Sequence, residues 1–143
     1  MKKKVLIVVS DYYKDISEAL LKSTKKFLNK KTDLKIIKVP GVFEIPVIIS
    51  RNIKKFDGFV ALGCVIRGET THYDYVCSES ARALMNLSLE GLAIGYGIIT
   101  VENYEQAVAR AKKDGKDKMG KGKVAALACI NQIHLKIKYT NAG

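Results

Sequence analysis

Apolar residues along the chain follow two alternating patterns, one typical of buried strands and one typical of amphipathic helices. Continuous apolar runs, as expected for strands covered on both faces, predict four strands: Val5–Val9, Lys35–Val39, Gly58–Ile66 and Leu92–Thr100. Apolar positions with helical spacing predict helices between and after them: Ile16–Leu28, Glu44–Lys55, Thr70–Glu90, Asn103–Lys113 and Lys123–Lys138. The face of the third helix that should pack on the protein contains Tyr73, Cys77, Ala81, Leu84 and Ser88.

Strands that alternate with helices indicate right-handed crossovers and a parallel sheet covered on both faces. We therefore expect a three-layer α/β/α fold of the flavodoxin-like type, with a four-stranded parallel sheet. Neither an internal repeat nor a linker interrupts the pattern, so residues 1–143 should form a single domain.

Composition supports a globular protein, because 48% of the residues are hydrophobic and no apolar run is long enough to span a bilayer. The segment MKKKVLIVVS has the basic start and apolar run of a signal peptide, but no small-residue cleavage site follows. We interpret it as the first strand. Three dispersed cysteines without a CxxC pair agree with a cytoplasmic protein.

The net charge of +11 raises the question of nucleic acid. The excess is lysine spread along the chain, and the densest basic run, Lys112–Lys123, contains no aromatic residue. Nucleic-acid-binding proteins usually cluster basic residues with arginine or aromatics. We therefore expect a lysine-rich solvated surface without a dedicated nucleic-acid site, although the charge would attract phosphorylated substrates.

Polar segments follow every predicted strand, at Asp11–Tyr13, Gly41–Glu44, Arg67–His72 and Thr100–Asn103. The carboxyl ends of parallel strands meet at one edge of a sheet, so these segments should gather into a ligand site there. A helix that starts at Thr70 would aim the backbone N–H groups of Glu69, Thr70 and Thr71 out of the sheet as an anion site. His72 would then lie within reach as an acid or base at neutral pH.

Three motifs in this order carry a resemblance to a known family: VPGVFEIPV at Val39–Val47, GCVIRGETTHYDYV from Gly63, and YGIITVENYEQAVARA at Tyr96–Ala111. From Val5 to Leu135 the chain resembles the 6,7-dimethyl-8-ribityllumazine synthases, enzymes of riboflavin synthesis. The resemblance implies condensation of 5-amino-6-(D-ribitylamino)uracil with 3,4-dihydroxy-2-butanone 4-phosphate, the penultimate step of that pathway, without a metal or cofactor.

The resemblance also implies roles for particular residues. His72 matches the histidine proposed as acid/base, and Arg110 matches an arginine that binds the substrate phosphate in the cleft of the neighbouring subunit. Thr70 and the backbone of Glu69 match the other phosphate contacts. Arg67 is expected to be structural and to pair with an acidic residue near the site.

The remaining implied residues would bind the pyrimidine and its ribityl chain. Val42, Phe43 and Glu44 match the ribityl pocket. Tyr12 matches the stacking aromatic, with Tyr13 as the alternative if the register shifts by one. The other implied pocket residues are Tyr96 and the strand end Cys64, Val65 and Ile66, whose backbone groups could hydrogen-bond a uracil edge. We interpret Cys64 as inert and assign no role to His134.

Three other functions remain as alternatives: a paralogous riboflavin synthase, a flavodoxin-like electron carrier and a non-catalytic shell protein. The histidine of the GETTH motif argues against the first. Ser10–Tyr13 lacks the Ser/Thr-rich phosphate loop that the second needs. Retention of Thr70, His72 and Arg110 argues against the third.

The resemblance implies a homopentameric ring, which some members stack into a larger shell. Two features favour an isolated ring here. The chain begins only a few residues before its first strand, and the lysine-rich loop Lys112–Gly122 is interpreted as longer than in shell-forming members. Like charges brought together at the ring–ring contacts would oppose stacking at low salt.

Overall fold

The sheet consists of four parallel strands in the order β2-β1-β3-β4. The structure, a computed structural model, describes residues 2–112 and 120–140. Its strands are β1 (Lys3–Ser10), β2 (Thr32–Val39), β3 (Gly58–Ile66) and β4 (Ile94–Val101). Its α-helices are α1 (Lys14–Leu28), α2 (Ile45–Arg51), α3 (His72–Leu89), α4 (Tyr104–Ala111) and α5 (Lys121–Thr140). The predicted three-layer α/β/α, flavodoxin-like fold is confirmed.

Two apolar layers cover the sheet, one on each face. One layer contains buried residues of α1, α4 and α5, and the other contains buried residues of α2 and α3. The central strand β3 contributes to both, since alternate side chains point to opposite faces. Val60, Leu62 and Cys64 lie in the α1/α4/α5 layer, whereas Phe59 and Ala61 lie in the α2/α3 layer.

The segment after β2 forms a 3₁₀ turn, Val42–Glu44, followed by the short helix α2. The prediction of one helix from Glu44 to Lys55 was therefore wrong at its C-terminal end. Pro46 is accommodated in the first turn of α2, as expected. The helix ends at Arg51 because Asn52 caps it, with its side-chain amide donating to the Ile48 carbonyl at 2.7 Å.

Helix α3 begins at His72, two residues later than predicted, and the prediction of its packed face was correct for Leu84 but missed the other two buried positions. The buried residues are Val76, Ser80 and Leu84, whereas Ala81 is exposed. Ser80 is tolerated in the core because its hydroxyl donates to the Val76 carbonyl at 2.6 Å. Because Ser80 is polar but buried, the apolar residues alone did not indicate which face of α3 packs on the protein.

The region after α4 is described only in part. Helix α4 ends at Ala111, and Lys112 has an extended backbone. Most of the predicted loop Lys112–Gly122, residues 113–119, lies outside the described residues. In the described parts of the chain, no helix combines the length and the apolar character needed to cross a bilayer.

Candidate active site

A cleft of about 790 Å³ lies at the carboxyl edge of the sheet, where β1 and β3 end side by side. From β1 the chain runs outward to β2 and then returns to β3 on the other side, so the cleft occupies the topological switch point of the sheet. Ligands of open α/β sheets bind at this point. Of the predicted site residues, the cleft collects Tyr12, Val42, Phe43, Glu44, Cys64, Val65, Ile66, Thr70 and His72.

The 3₁₀ turn after β2 forms one wall of the cleft. Val42 is buried and anchors the turn against β3, while Phe43 is 57% exposed and Glu44 is exposed beside it. The Glu44 carboxylate folds back over Gly41, where an added Cβ would lie 2.9 Å from Glu44 Oε1. An apolar ring and a carboxylate are thus presented together, without any ion pair to Glu44 among the described residues.

Tyr12 and Tyr13, just after β1, form another part of the cleft lining. Their rings meet edge to face, with centroids 4.9 Å apart. Tyr13 packs against the α1/α4/α5 layer, and burial raises the pKa of its hydroxyl. Tyr12 is 73% exposed, so its ring offers a free face in the cleft. Both tyrosines line the cleft, but Tyr12 has the more accessible ring.

The segment after β3 brings Thr70 and His72 to the cleft. Because α3 starts at His72, the amides of Glu69 and Thr70 lie in the preceding loop and not in the first helical turn. Thr70 Oγ1 accepts the His72 backbone N–H at 3.3 Å. The predicted helix-terminal anion site is therefore replaced by a loop, and Glu69 does not line the cleft.

Arg67 begins this loop and pairs with acidic residues, as expected. Its Nε lies 2.9 Å from Glu102 Oε2 and its Nη1 lies 3.3 Å from Asp74 Oδ1. The sequence left these partners unspecified, because their proximity depends on how β4 and α3 converge.

The end of β3 contributes Cys64, Val65 and Ile66 to the lining of the cleft. Cys64 packs in the α1/α4/α5 layer, and burial raises the pKa of its thiol to about 11. A neutral, buried thiol is a poor nucleophile, which supports the inert interpretation of Cys64. Val65 packs on the α2/α3 layer, next to the cleft.

Besides Glu69, two predicted residues, Tyr96 and Arg110, are absent from the lining of the cleft of their own chain. Tyr96 sits in the middle of the outer strand β4, opposite Ala61, and is 40% exposed. Burial, then the nearby Cys77 and Tyr73, raise the pKa of its hydroxyl. Arg110 lies exposed in the last turn of α4, which packs on α1 and α5. Arg110 is therefore not among the residues that line the cleft of its own chain.

Gly41 and Gly68 line the cleft and belong to segments that were predicted, whereas five other cleft residues were not predicted, namely Ser10, Pro40, Tyr73, Tyr75 and Val76. Ser10 is the last residue of β1, is 1% exposed, and donates from Oγ to the Pro40 carbonyl at 3.4 Å. A serine at the end of an apolar strand was the sequence feature that could have identified Ser10 as a cleft residue. In residues 2–112 and 120–140, no three His, Cys, Asp or Glu side chains cluster in a way that could hold a metal ion.

The sheet is doubly wound, and a mostly apolar cleft lies at its switch point. A histidine, a threonine and a carboxylate border this cleft. These features define a small-molecule-binding α/β protein. The chain belongs to the 6,7-dimethyl-8-ribityllumazine synthase family, whose model matches residues 2–136. The resemblance seen in the three motifs is thereby confirmed, and the family is one of enzymes.

Relatives that carry this name cover nearly the whole chain. A protein of Bartonella tribocorum is 51% identical over 137 aligned residues, and the match covers 91% of this chain and 91% of its own length. A protein of Agrobacterium fabrum is 47% identical and covers 94% of this chain and 95% of its own length. Both are named 6,7-dimethyl-8-ribityllumazine synthase.

Proposed function

We propose that this protein condenses 5-amino-6-(D-ribitylamino)uracil with 3,4-dihydroxy-2-butanone 4-phosphate to give 6,7-dimethyl-8-ribityllumazine, phosphate and water, the penultimate step of riboflavin synthesis. The observation that carries the proposal is the meeting of three separate loops in one cleft. Tyr12 follows β1, Phe43 and Glu44 follow β2, and Thr70 and His72 follow β3. Family membership supports this reaction, and the cleft offers groups suited to each part of the substrates.

The pyrimidine would lie between the Tyr12 ring and the ends of β1 and β3. Offset stacking on an exposed aromatic face and hydrogen bonds to strand-end backbone groups suit a planar polar ring. The ribityl chain would run along the 3₁₀ turn, where the Glu44 carboxylate can accept hydrogen bonds from its hydroxyls. The phosphorylated ketone would occupy the side of the cleft near Thr70.

In the reaction, the ring amine attacks the ketone carbonyl and loses water to form an imine. Phosphate is then eliminated, which leaves a carbonyl on the neighbouring carbon after tautomerisation, and the ribitylamino nitrogen attacks this carbonyl and expels a second water as the ring closes. Most of the acceleration would come from holding two reactants in one cleft, since orientation alone can replace a large part of the entropic barrier. His72, exposed at the cleft, would move protons between the amine, the carbonyl oxygen and water.

Among the described residues, neither an arginine nor a lysine lines the cleft, so this part of one subunit offers no cation for the phosphate. We infer that Arg110 and Tyr96 serve the cleft of an adjacent subunit in a homopentameric ring. Exposed apolar side chains support such packing: Tyr75, Met85 and Leu89 of α3 are 67%, 58% and 77% exposed. A protein that left this helix face in water would be unusual.

The direct test is to mix the purified protein with both substrates and follow the fluorescence of the lumazine. Formation faster than in a control without protein supports the proposal. Each substrate alone should give no product. Incubation with the lumazine itself tests the paralogous riboflavin synthase activity, and riboflavin formed in that experiment without lumazine in the first would overturn the proposal.

A further inference from the structure

The loop from Gly68 to Thr71 has little support of its own. All four residues are exposed, and a Cβ added at Gly68 would meet nothing within 4 Å. In the part of the chain that the structure describes, their amides donate no hydrogen bond to another backbone group. The loop nevertheless carries Thr70 and leads into His72, both of which line the cleft. Something outside the loop must therefore fix its position.

Arg67 joins the loop to two other elements. Its backbone N–H donates to the Val101 carbonyl at 2.9 Å, and its Nε donates to both carboxylate oxygens of Glu102, at 3.1 and 2.9 Å. On the other side, Nη1 donates to Asp74 Oδ1 at 3.3 Å, in the first turn of α3. The guanidinium carbon lies 4.3 Å from the centroid of the Tyr73 ring. One side chain thus bridges the end of β4 and the start of α3.

Glu102 is itself held in place, so it can act as an anchor. Its backbone N–H donates to Gln106 Oε1 at 2.8 Å, and the Gln106 N–H donates to Asn103 Oδ1 at 2.9 Å. The second bond is the N-cap of α4, and the first ties the backbone of Glu102 to the same helical turn. The Glu102 carboxylate is therefore tied to the capped end of a helix and not to a free loop.

We propose that Arg67 is a positioning residue that holds the loop Gly68–Thr71, and with it Thr70 and His72, by bridging Glu102 and Asp74. Arg67 does not line the cleft and would not touch the substrate. Arginine suits this role because separate nitrogens bind the two carboxylates while its planar face covers Tyr73. A lysine has one charged nitrogen and cannot do all three.

Loss of the Arg67 side chain should increase the mobility of the loop Gly68–Thr71 and should change the free energy of unfolding only slightly. The ion pairs are solvent-exposed, with side-chain exposures of 42%, 59% and 58% for Arg67, Asp74 and Glu102, and exposed pairs contribute little to stability. The catalytic part of this inference rests on the proposed function, whereas the effect on the loop does not.

The experiment compares Arg67→Gln with Arg82→Gln in the assembled protein. Arg82 is a matched control, because it pairs with Glu79 on α3 at 2.7 Å and lies outside the cleft. Hydrogen exchange of a peptide that covers residues 66–76 is measured first, without substrate, because the amides of Arg67, Asp74 and Tyr75 donate to the Val101 and Thr71 carbonyls and are therefore protected when the loop is held. Exchange should rise in Arg67→Gln and stay unchanged in Arg82→Gln. Unchanged exchange in Arg67→Gln overturns the inference, whatever the catalytic result.

Kinetics then separate positioning from a general structural role. Arg67→Gln should raise the KM for the phosphorylated ketone by about fivefold or more, with less than about a twofold change in the KM for the pyrimidine. Arg67→Lys should restore the ketone KM only partly. Glu102→Gln should reproduce the defect, and the double variant should be no worse than either single variant, because the residues act as a unit.

The outcomes distinguish this inference from the proposed function. If the wild-type protein forms no lumazine, the proposed function fails and hydrogen exchange alone decides the role of Arg67. If lumazine is formed but both KM values rise equally, or neither rises, Arg67 is not a positioning residue for the ketone side of the cleft.

Discussion

Val42 packs directly on the backbone of Gly63: a Cβ added to Gly63 would lie 2.6 Å from Val42 Cγ2. Ser10 Cβ would be 3.3 Å from the same added atom. The 3₁₀ turn after β2 can therefore sit against β3 only because position 63 has no side chain. Phe43 and Glu44 owe their place in the cleft to this contact.

Gly63→Ala should consequently destabilise the protein, by about 1–3 kcal/mol, as overpacking of a filled core does. It should also raise the KM for the pyrimidine, since the displaced turn carries the ribityl-binding wall. Chemical denaturation and steady-state kinetics measure the two effects. Gly68→Ala is the stability control, because nothing lies within 4 Å of its added Cβ. Equal stability of the two variants would contradict this account of the contact.

Arg110→Ala should raise the KM for the phosphorylated ketone much more than that for the pyrimidine, because only the ketone carries the phosphate. Arg110→Lys should restore binding in part, since lysine lacks the planar pair of donors. Arg51→Ala, at an exposed arginine on α2, is the control for loss of positive charge. A ketone KM that stays at the wild-type value in Arg110→Ala would remove this residue from the site.

Mixed rings test whether Arg110 acts on a neighbour. Arg110→Ala subunits are co-assembled with subunits that carry both His72→Ala and Glu44→Ala. In a random mixture, about a quarter of the clefts would combine an intact cleft with an intact arginine. Activity should exceed that of either parent ring. A mixture that never exceeds the better parent would mean that Arg110 does not complete a neighbouring cleft.

The assembly itself should be an isolated pentamer. The lysine-rich surface and the apolar face of α3 favour ring contacts through the helix and leave the charged surface in water. Light scattering should give a mass of about five chains, unchanged between low and moderate salt. A mass of about sixty chains would establish a closed shell instead.

His72→Ala should slow lumazine formation by about tenfold, less than the roughly 10²–10⁴ typical of general acid–base catalysis. The reason is that the cleft chiefly orients two reactants, which the variant still binds. The KM values should change little, and circular dichroism should show that the fold is intact. Complete loss of product in a folded variant would mean that proton transfer dominates the barrier.

Because the Cys64 thiol is buried, we expect the stability of the protein to depend on pH in the alkaline range. Burial raises the pKa of its thiol from 9.0 to about 11, so the unfolded chain loses this proton at lower pH than the folded protein. The free energy of unfolding should therefore fall as pH rises from about 9 to about 11. Denaturation of the wild type and of Cys64→Ala over this range isolates the effect of this thiol. Identical slopes would show that Cys64 ionises equally easily in both states.

Sequence patterns predicted β3 with the bounds that the structure has, because a strand covered on both faces is apolar throughout. They failed in part for the packed face of α3, where Ser80 is buried with its hydroxyl satisfied by the preceding turn. They also placed the start of α3 two residues early, at Thr70. In the structure, the Thr70 side chain accepts a hydrogen bond from the His72 amide and lies just before the helix.

The candidate site was predictable where it depends on strand ends. Tyr12, Glu44 and Thr70 each follow a strand, and parallel strands bring such positions together. Arg110 and Tyr96 were recognised only through the family resemblance. The position of Arg110 depends on which side of the sheet α4 covers, and the position of Tyr96 depends on where along β4 it falls. Neither follows from local sequence.

The pairing of β1 with β3 has a consequence for synthesis on the ribosome. Val5 pairs with Gly58, and Val9 pairs with Leu62, so the two strands that flank the cleft are far apart along the chain. A growing chain can pair β1 with β2 once Val39 has emerged, but its cleft cannot exist until β3 is inserted beside β1. Until then one edge of an apolar strand stays open to other chains, and delays between these strands should favour aggregation over folding.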